Sequence, residues 1–195
     1  MKVIGVTGGT GAGKTSLLEY LKTKGAALLD CDKIYYEMLA EDADLRVHLT
    51  DCFGEVFSPD GSLDRKKLGK IVYEDTEKMR LLNMIVYYFM GLEIRKRLQK
   101  LRDDGAALVA IDAVNLIESG LGELCDTTVG IIAPEEDRLA RIMARDGIDR
   151  EYALSRIRAQ KDDDYYRRHC RIILENTGKE EELPALAEKT LADIL

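Results

Sequence analysis

Apolar residues recur along this chain with two spacings, and the places where one gives way to the other outline the fold. Residues 2 to 6 form a short apolar run around Val3, Ile4 and Val6, which predicts a buried strand. In residues 14 to 24 the apolar positions Leu17, Leu18 and Leu21 take helical spacing, and Gly25 is a stop signal. Ala26 to Leu29 is a second strand-length run that ends at Asp30; residues 107 to 111, residues 127 to 132, and Ile172 to Leu174 are three more. A strand exposed on one side would alternate polar and apolar residues. Runs that are apolar throughout and separated by helices predict a parallel sheet covered on both faces, so the expected class is α/β with a five-stranded parallel sheet.

The stretch between the second and third runs is far longer than one crossover helix needs, and its periodicity is mainly helical. An inserted helical region is expected there. Within it Pro59-Asp60-Gly61 signals a turn, Asp64 is placed to cap a helix over Arg65 to Lys70, and residues 75 to 102 read as one long helix or two joined ones. Residues 134 to 169 are helical and dense in charge. Neither an internal repeat nor a low-complexity linker interrupts the chain, so a single domain over residues 1 to 195 is expected.

Between the first strand and the first helix lies Gly8-Gly9-Thr10-Gly11-Ala12-Gly13-Lys14-Thr15, which fits G-x-x-x-x-G-K-[ST] in the context that its chemistry requires. The glycines let backbone N–H groups curl around phosphate oxygens, and the helix N-terminus adds unpaired donors and a favourable dipole. Gly9, Thr10, Gly11, Ala12, Gly13, Lys14, Thr15 and Ser16 are therefore the expected nucleotide-binding residues. Lys14 is placed for the β and γ phosphates, and the Thr15 hydroxyl for Mg²⁺.

Three further groups follow from position. Asp30 and Asp32 come at the end of the second strand, where open α/β sheets place ligand-binding residues; one of the two orients an attacking hydroxyl or accepts its proton, or Asp32 merely caps the helix that starts at Lys33, and a cap and a base are compatible. Asp112 closes the third strand, the usual place for a carboxylate on Mg²⁺, with a plain turn residue as the alternative. Arg138, Arg141 and Arg145 share one helix face, which suits an electrostatic clamp on a triphosphate or ordinary ion pairing with Glu135, Glu136 and Asp137. Tyr35, Tyr36, Tyr87, Tyr88 and Phe89 either line a pocket for a flat group or pack the interior. His48 and His169 are isolated and read as structural.

Charge narrows the partners. With 29 Lys and Arg against 36 Asp and Glu, the net charge of −7 argues against general nucleic-acid affinity, which rewards a basic face. No apolar stretch reaches the length of a bilayer span. Cys31, Cys52, Cys125 and Cys170 are widely spaced, without the pairing that a zinc site or a disulfide framework would need, and they read as reduced thiols. The first strand begins at the second residue, which leaves no room for a signal peptide, so a cytoplasmic location is expected.

Taken together, these residues resemble the dephospho-CoA kinase family. The resemblance rests on Ile4-Gly5-Val6-Thr7 leading into the glycine-rich loop and on Leu29-Asp30-Cys31-Asp32, where the family has Asp-Ala-Asp. It extends through Phe53-Gly54, Asp60-Gly61-Ser62-Leu63-Asp64-Arg65, Leu82-Asn83, Glu118-Ser119-Gly120-Leu121, Arg141 with Arg145-Asp146, Arg156-Ile157 with Gln160, and Asn176-Thr177-Gly178. Departures are Tyr87-Tyr88 in place of His-Pro, Val114-Asn115-Leu116-Ile117-Glu118 in place of Pro-Leu-Leu-Phe-Glu, and Arg171 in place of an acidic residue.

The resemblance implies a P-loop kinase fold with three parts. These are a nucleotide-binding core over residues 1–32, 105–137 and 170–195, an inserted helical region over 33–104 that grips the CoA-like substrate, and a helical lid over 138–169. It implies transfer of the ATP γ-phosphate to the ribose 3′-hydroxyl of dephospho-CoA, with ATP and Mg²⁺ as cofactors and a monomer or weak homo-oligomer as the working form. Asp32 is then the catalytic base, Lys14 and Arg141 act on the phosphates, Arg145 joins the ATP contacts, and Thr15 and Asp112 hold the metal. Two alternatives stand beside this: a P-loop kinase for another nucleotide or small alcohol, and a nucleotide-binding regulatory protein without turnover.

Overall fold

The computed structural model describes residues 1–178 and 182–194; residues 179–181 and 195 of the expected core segment 170–195 lie outside the described residues. Five strands form one sheet: β1 (Lys2–Gly8), β2 (Ala27–Asp30), β3 (Leu108–Asp112), β4 (Thr127–Ile132) and β5 (Ile172–Glu175), in the order β2-β3-β1-β4-β5. β1 pairs in parallel with β3 and with β4, and β4 with β5. Every residue of β1 after Lys2 is buried, as a central strand covered on both faces must be. Each apolar run of the sequence is a strand, with ends moved by one or two residues.

The chain forms two compact units, one of Met1–Leu29 with Gln99–Leu195 and the other of Asp30–Leu98. In the first unit α1 (Lys14–Thr23) and α9 (Glu182–Leu191) flank the sheet. Leu17 and Leu21 of α1 and Leu183, Ala187 and Leu191 of α9 pack with Ile4, Val6, Val129, Ile131 and Leu174 from the strands into one core cluster. Burying such side chains stabilises by roughly 1.5–3 kcal/mol each, so the apolar periodicity is what fixes these helices to the sheet.

The charged stretch after β4 folds into α6 (Glu135–Asp146), α7 (Arg150–Arg158) and α8 (Asp163–His169). Leu139 and Ile142 of α6 pack with Ala153 and Ile157 of α7 in a small cluster of their own. Asp149 and Asp162 cap α7 and α8 by accepting the N–H groups of Tyr152 and Tyr165.

The second unit contains α2 (Cys31–Glu41), α3 (Ala43–Phe53), α4 (Arg65–Tyr73) and most of α5 (Thr76–Asp103), which is one uninterrupted helix of 28 residues. Asp42 and Asp64 cap α3 and α4. The turn at Pro59-Asp60-Gly61 is closed by an antiparallel bridge between Phe57 and Leu63. Ile34, Leu45, Leu49, Phe53, Leu68 and Ile94 are among its buried residues. Among the described residues no helix is long and apolar enough to cross a membrane.

Candidate active site

In this strand order the chain leaves β1 towards one edge of the sheet and β4 towards the other, so a crevice opens at the carboxyl ends of these two neighbours. The glycine-rich loop follows β1 into that crevice. Gly13 occupies the N-cap position of α1 at φ 116, and Gly11 sits at φ 75, backbone conformations that side-chain-bearing residues rarely adopt. No side chain caps α1 and no carboxylate lies in its first turn, where Lys14, Thr15 and Ser16 follow one another. An uncapped helix start presents N–H donors and the positive end of the dipole, which suits an anion. Lys14 lies within the loop, its Nζ donating to Gly8 O at 2.9 Å.

Gln160, Arg138 and Asn176, far along the chain, are among the residues that hold this loop. Thr10 is gripped from both sides: its N–H donates to Gln160 Oε1 at 2.7 Å and its carbonyl accepts from Arg138 Nε at 3.0 Å. Asn176, only 3% exposed, donates from Nδ2 to Ala12 O at 2.8 Å. Gly9 and Gly11 lie tightly against α6, because a Cβ on Gly9 would come within 2.3 Å of Arg138 Nη2 and one on Gly11 within 2.7 Å of Arg138 O. The glycines thus serve close packing as much as the curl of the loop.

The three arginines of α6 have separate fates. Arg138 is 5% exposed, and its Nη2 is buried without a hydrogen-bond partner among the described residues; its nearest carboxylate oxygen, Asp163 Oδ1, is 3.9 Å from Nη1. Arg141 donates from Nη1 to Gly11 O at 3.2 Å and from Nη2 to Gly178 O at 3.1 Å, so it lies on the phosphate loop. Arg145 is more than half exposed and forks onto Asp146, at 2.7 Å from Nε and 3.0 Å from Nη2. A single clamp of all three is therefore not what the structure displays. One helix face brings Arg138 and Arg141 to the loop, whereas the carboxylate of Asp146, shared with Arg156, takes Arg145.

Asp112 is the last residue of β3, and its Cα pairs in register with Val6 two residues before the loop. Asp112 thus ends the strand beside β1, Thr15 is the second residue of α1 after the loop, and the two supply oxygen donors of the kind that Mg²⁺ prefers. Among the described residues no group of three or more His, Cys, Asp and Glu forms a ready-made metal cage. A site of one carboxylate and one hydroxyl fits an ion that shares its coordination with substrate phosphates.

In the second unit Asp30, not Asp32, is the N-cap of α2: its Oδ1 accepts the N–H of Lys33 at 3.0 Å. The alternative in which Asp32 only caps a helix is thereby corrected, because the helix starts two residues earlier. Asp32 sits in the first turn with its side chain exposed. Of the aromatic residues, Phe89 is buried with Tyr88 packed edge-on against it, and Tyr36 is 49% exposed and lines a cleft. His48 and His169 each bond the carbonyl four residues earlier in their helices.

Gln160 and Asn176 have contacts to the loop that no local pattern announces. Both lie in the strings that carried the family resemblance, which was the one signal in the sequence able to find them.

The family described as dephospho-CoA kinase matches residues 2–182 of the chain. A dephospho-CoA kinase of Dehalococcoides mccartyi is 35% identical over 189 residues, covering 96% of this chain and 95% of its own length. Among solved structures, a Thermus thermophilus protein superposes with a TM-score of 0.79 at 31% identity, covering 100% of this chain and 98% of that one. A dephospho-CoA kinase from Campylobacter jejuni gives a TM-score of 0.71 at 26% identity, with the same coverage of both chains.

Proposed function

The chain belongs to the dephospho-CoA kinase family, and on that premise we propose how its residues divide the work of an ATP-dependent phosphotransferase. The reaction moves the γ-phosphoryl group of ATP to the ribose 3′-hydroxyl of dephospho-CoA. What carries this reading is an intact phosphate loop opening α1 in a chain that matches the family over residues 2–182.

The amides of Gly11, Gly13, Lys14, Thr15 and Ser16 take the phosphate oxygens, with Gly9, Thr10 and Ala12 setting the loop's course. Lys14 leaves Gly8 O for the β and γ phosphates, a short move for a flexible ammonium. Arg141, already on the loop, adds positive charge where negative charge develops, and Arg145 reaches the nucleotide only by giving up Asp146. Thr15 and Asp112 hold Mg²⁺, which when bound neutralises phosphate charge. Asp32 orients the 3′-hydroxyl and accepts its proton. Phosphoryl transfer depends mainly on positioning and charge neutralisation, and rigid bracing of the loop by Arg138, Gln160 and Asn176 serves the first of these. Two small diffusible substrates fit a cytoplasmic enzyme.

The test is an ADP-release assay with purified protein, ATP and Mg²⁺, with and without dephospho-CoA, and the product weighed by mass spectrometry. Turnover that requires dephospho-CoA and adds one phosphate is the expected result. ATP turnover indifferent to dephospho-CoA, or none at all, overturns the assignment.

A further inference from the structure

Asp32 and Tyr36 stand four residues apart on α2, so both rise from one helix face, separated by about one turn, roughly 5.4 Å along the axis. Both are exposed. At Tyr36 that face meets a cleft of about 530 Å³, within the usual range for small-molecule sites, whose lining includes Tyr36, Arg46, Asp60, Ser62 and Arg65.

Three of these lining residues are charged, and two of them are already engaged. Arg46 Nη1 donates to Leu39 O at 2.8 Å and to Gly61 O at 2.7 Å, and its guanidinium stacks on Phe57 with 4.2 Å to the ring centroid. Asp60 Oδ1 accepts from the N–H and the hydroxyl of Ser62, which holds its carboxyl below the usual range. Arg65 differs: its guanidinium lies over the Tyr36 ring at 4.6 Å, and among the described residues no carboxylate pairs with it. An arginine pinned against an aromatic face has little rotamer freedom left to lose and keeps its forked donors for oxygen ligands such as phosphate.

We propose that Tyr36 and Arg65 form the subsite for the 5′-diphosphate of the acceptor, one helical turn from the 3′-hydroxyl that Asp32 engages. This rests on dephospho-CoA being the acceptor, and it adds which part of that molecule the helical region reads. The 3′-hydroxyl and the 5′-phosphate stand on the same ribose, a spacing that one turn of α2 spans. Asp60 repels a second anion but accepts N–H groups, so the cleft beside Asp60 and Ser62 suits the amide-bearing arm beyond the diphosphate.

The experiment compares dephospho-CoA with adenosine, which has the same 3′-hydroxyl and no diphosphate, as acceptor or as competitor, in wild type, Arg65→Ala, Arg65→Lys and Tyr36→Leu. In Arg65→Ala the preference for dephospho-CoA over adenosine falls by roughly ten- to a hundredfold, the loss expected for a charge-assisted hydrogen bond. Arg65→Lys recovers only part of it, because a point charge replaces a fork. Tyr36→Leu loses less than Arg65→Ala, since the charge stays while its platform goes. An unchanged preference, an equal loss with both compounds, or a matching rise in the KM for ATP overturns the subsite. Absence of dephospho-CoA turnover in the wild type overturns the acceptor assignment itself, before any variant is compared.

Discussion

Gln160 Oε1 accepts the backbone N–H of Thr10 at 2.7 Å, across 150 residues of sequence. The bond ties the turn between α7 and α8 to the phosphate loop, and Arg138 holds the carbonyl of the same residue. Gln160→Ala frees the amide and loosens the loop, so kcat/KM for ATP falls by about two- to tenfold, the range for one lost hydrogen bond. Gln160→Glu keeps an acceptor but sets a carboxylate beside the phosphates. Its loss is larger at low ionic strength and partly recovers in salt, because screening weakens the repulsion. Wild-type kinetics in both variants would show that the bond does nothing for nucleotide binding.

Asp32 and Asp30 separate by experiment because their environments differ. Asp32→Asn lowers kcat by roughly a hundredfold or more, the usual contribution of a positioned base, with the KM for ATP little changed. Asp30→Ala instead removes the cap of α2 and costs about 1 kcal/mol of stability, read as a lower urea midpoint, whereas Asp30→Asn retains the cap. If kcat for Asp32→Asn stays within a few-fold of wild type, the base assignment is wrong.

Bracing of the loop from behind has its own measure. Asn176→Ala leaves the Ala12 carbonyl buried without its donor and costs about 1–3 kcal/mol. Gly11→Ala is worse tolerated than an ordinary surface change, since a Cβ there meets the backbone oxygen of Arg138 and φ stands at +75. Both variants show lower thermal midpoints, and Gly11→Ala also loses ATP binding by calorimetry.

Asp146 lies between Arg145 and Arg156, and the hydrogen bonds from these two, Arg145 first, hold its carboxyl well below the usual range. A depressed pKa in the folded state gives stability that is present above the unfolded value near 3.9 and is lost as pH falls through the lower folded value. The thermal midpoint of wild type exceeds that of Asp146→Asn at pH 7, and the gap closes as pH drops below about 4. Because the pair is solvent-exposed, 1 M salt narrows the gap as well. A gap that is constant from pH 7 to pH 2 would sink the interpretation.

Thiol reactivity follows burial. Loss of solvent pushes Cys125 up to about 12 and Cys170 up to about 11, and Cys31 is buried, whereas Cys52 is exposed. The thiolate is the reactive form, so iodoacetamide at pH 8 modifies Cys52 rapidly and the other three slowly, with the sites read by mass spectrometry. Equal labelling of all four in the folded protein would contradict this packing.

Much of the fold was legible because strand and helix are written in local periods. The runs at Val3, Ala27, Leu108, Thr127 and Ile172 are strands because continuous apolar stretches of that length fit a sheet covered on both faces. For the helix of 28 residues at Thr76 the sequence does not choose between one helix and two, since apolar spacing alone does not mark whether a helix is continuous. The cap of α2 is Asp30 and not Asp32, which the sequence does not decide because the two have equal capping chemistry and only the backbone path after β2 chooses between them.

The sequence by itself determined the α/β class, the phosphate loop and the family, because each depends on residues adjacent in the chain or on their period. Only the tertiary structure decided which distant side chains hold the loop. Gln160, Arg138 and Asn176 meet Thr10 and Ala12 across 128 to 164 residues, and Arg138 and Arg145 part company although they share a helix face. The physical reason is that a helical period states which side chains point the same way, but not what stands opposite them. The partner is set by where α6 and β5 fall around the loop that follows β1, with β5 pairing to β4 and β4 to β1, and that packing involves the whole sheet at once.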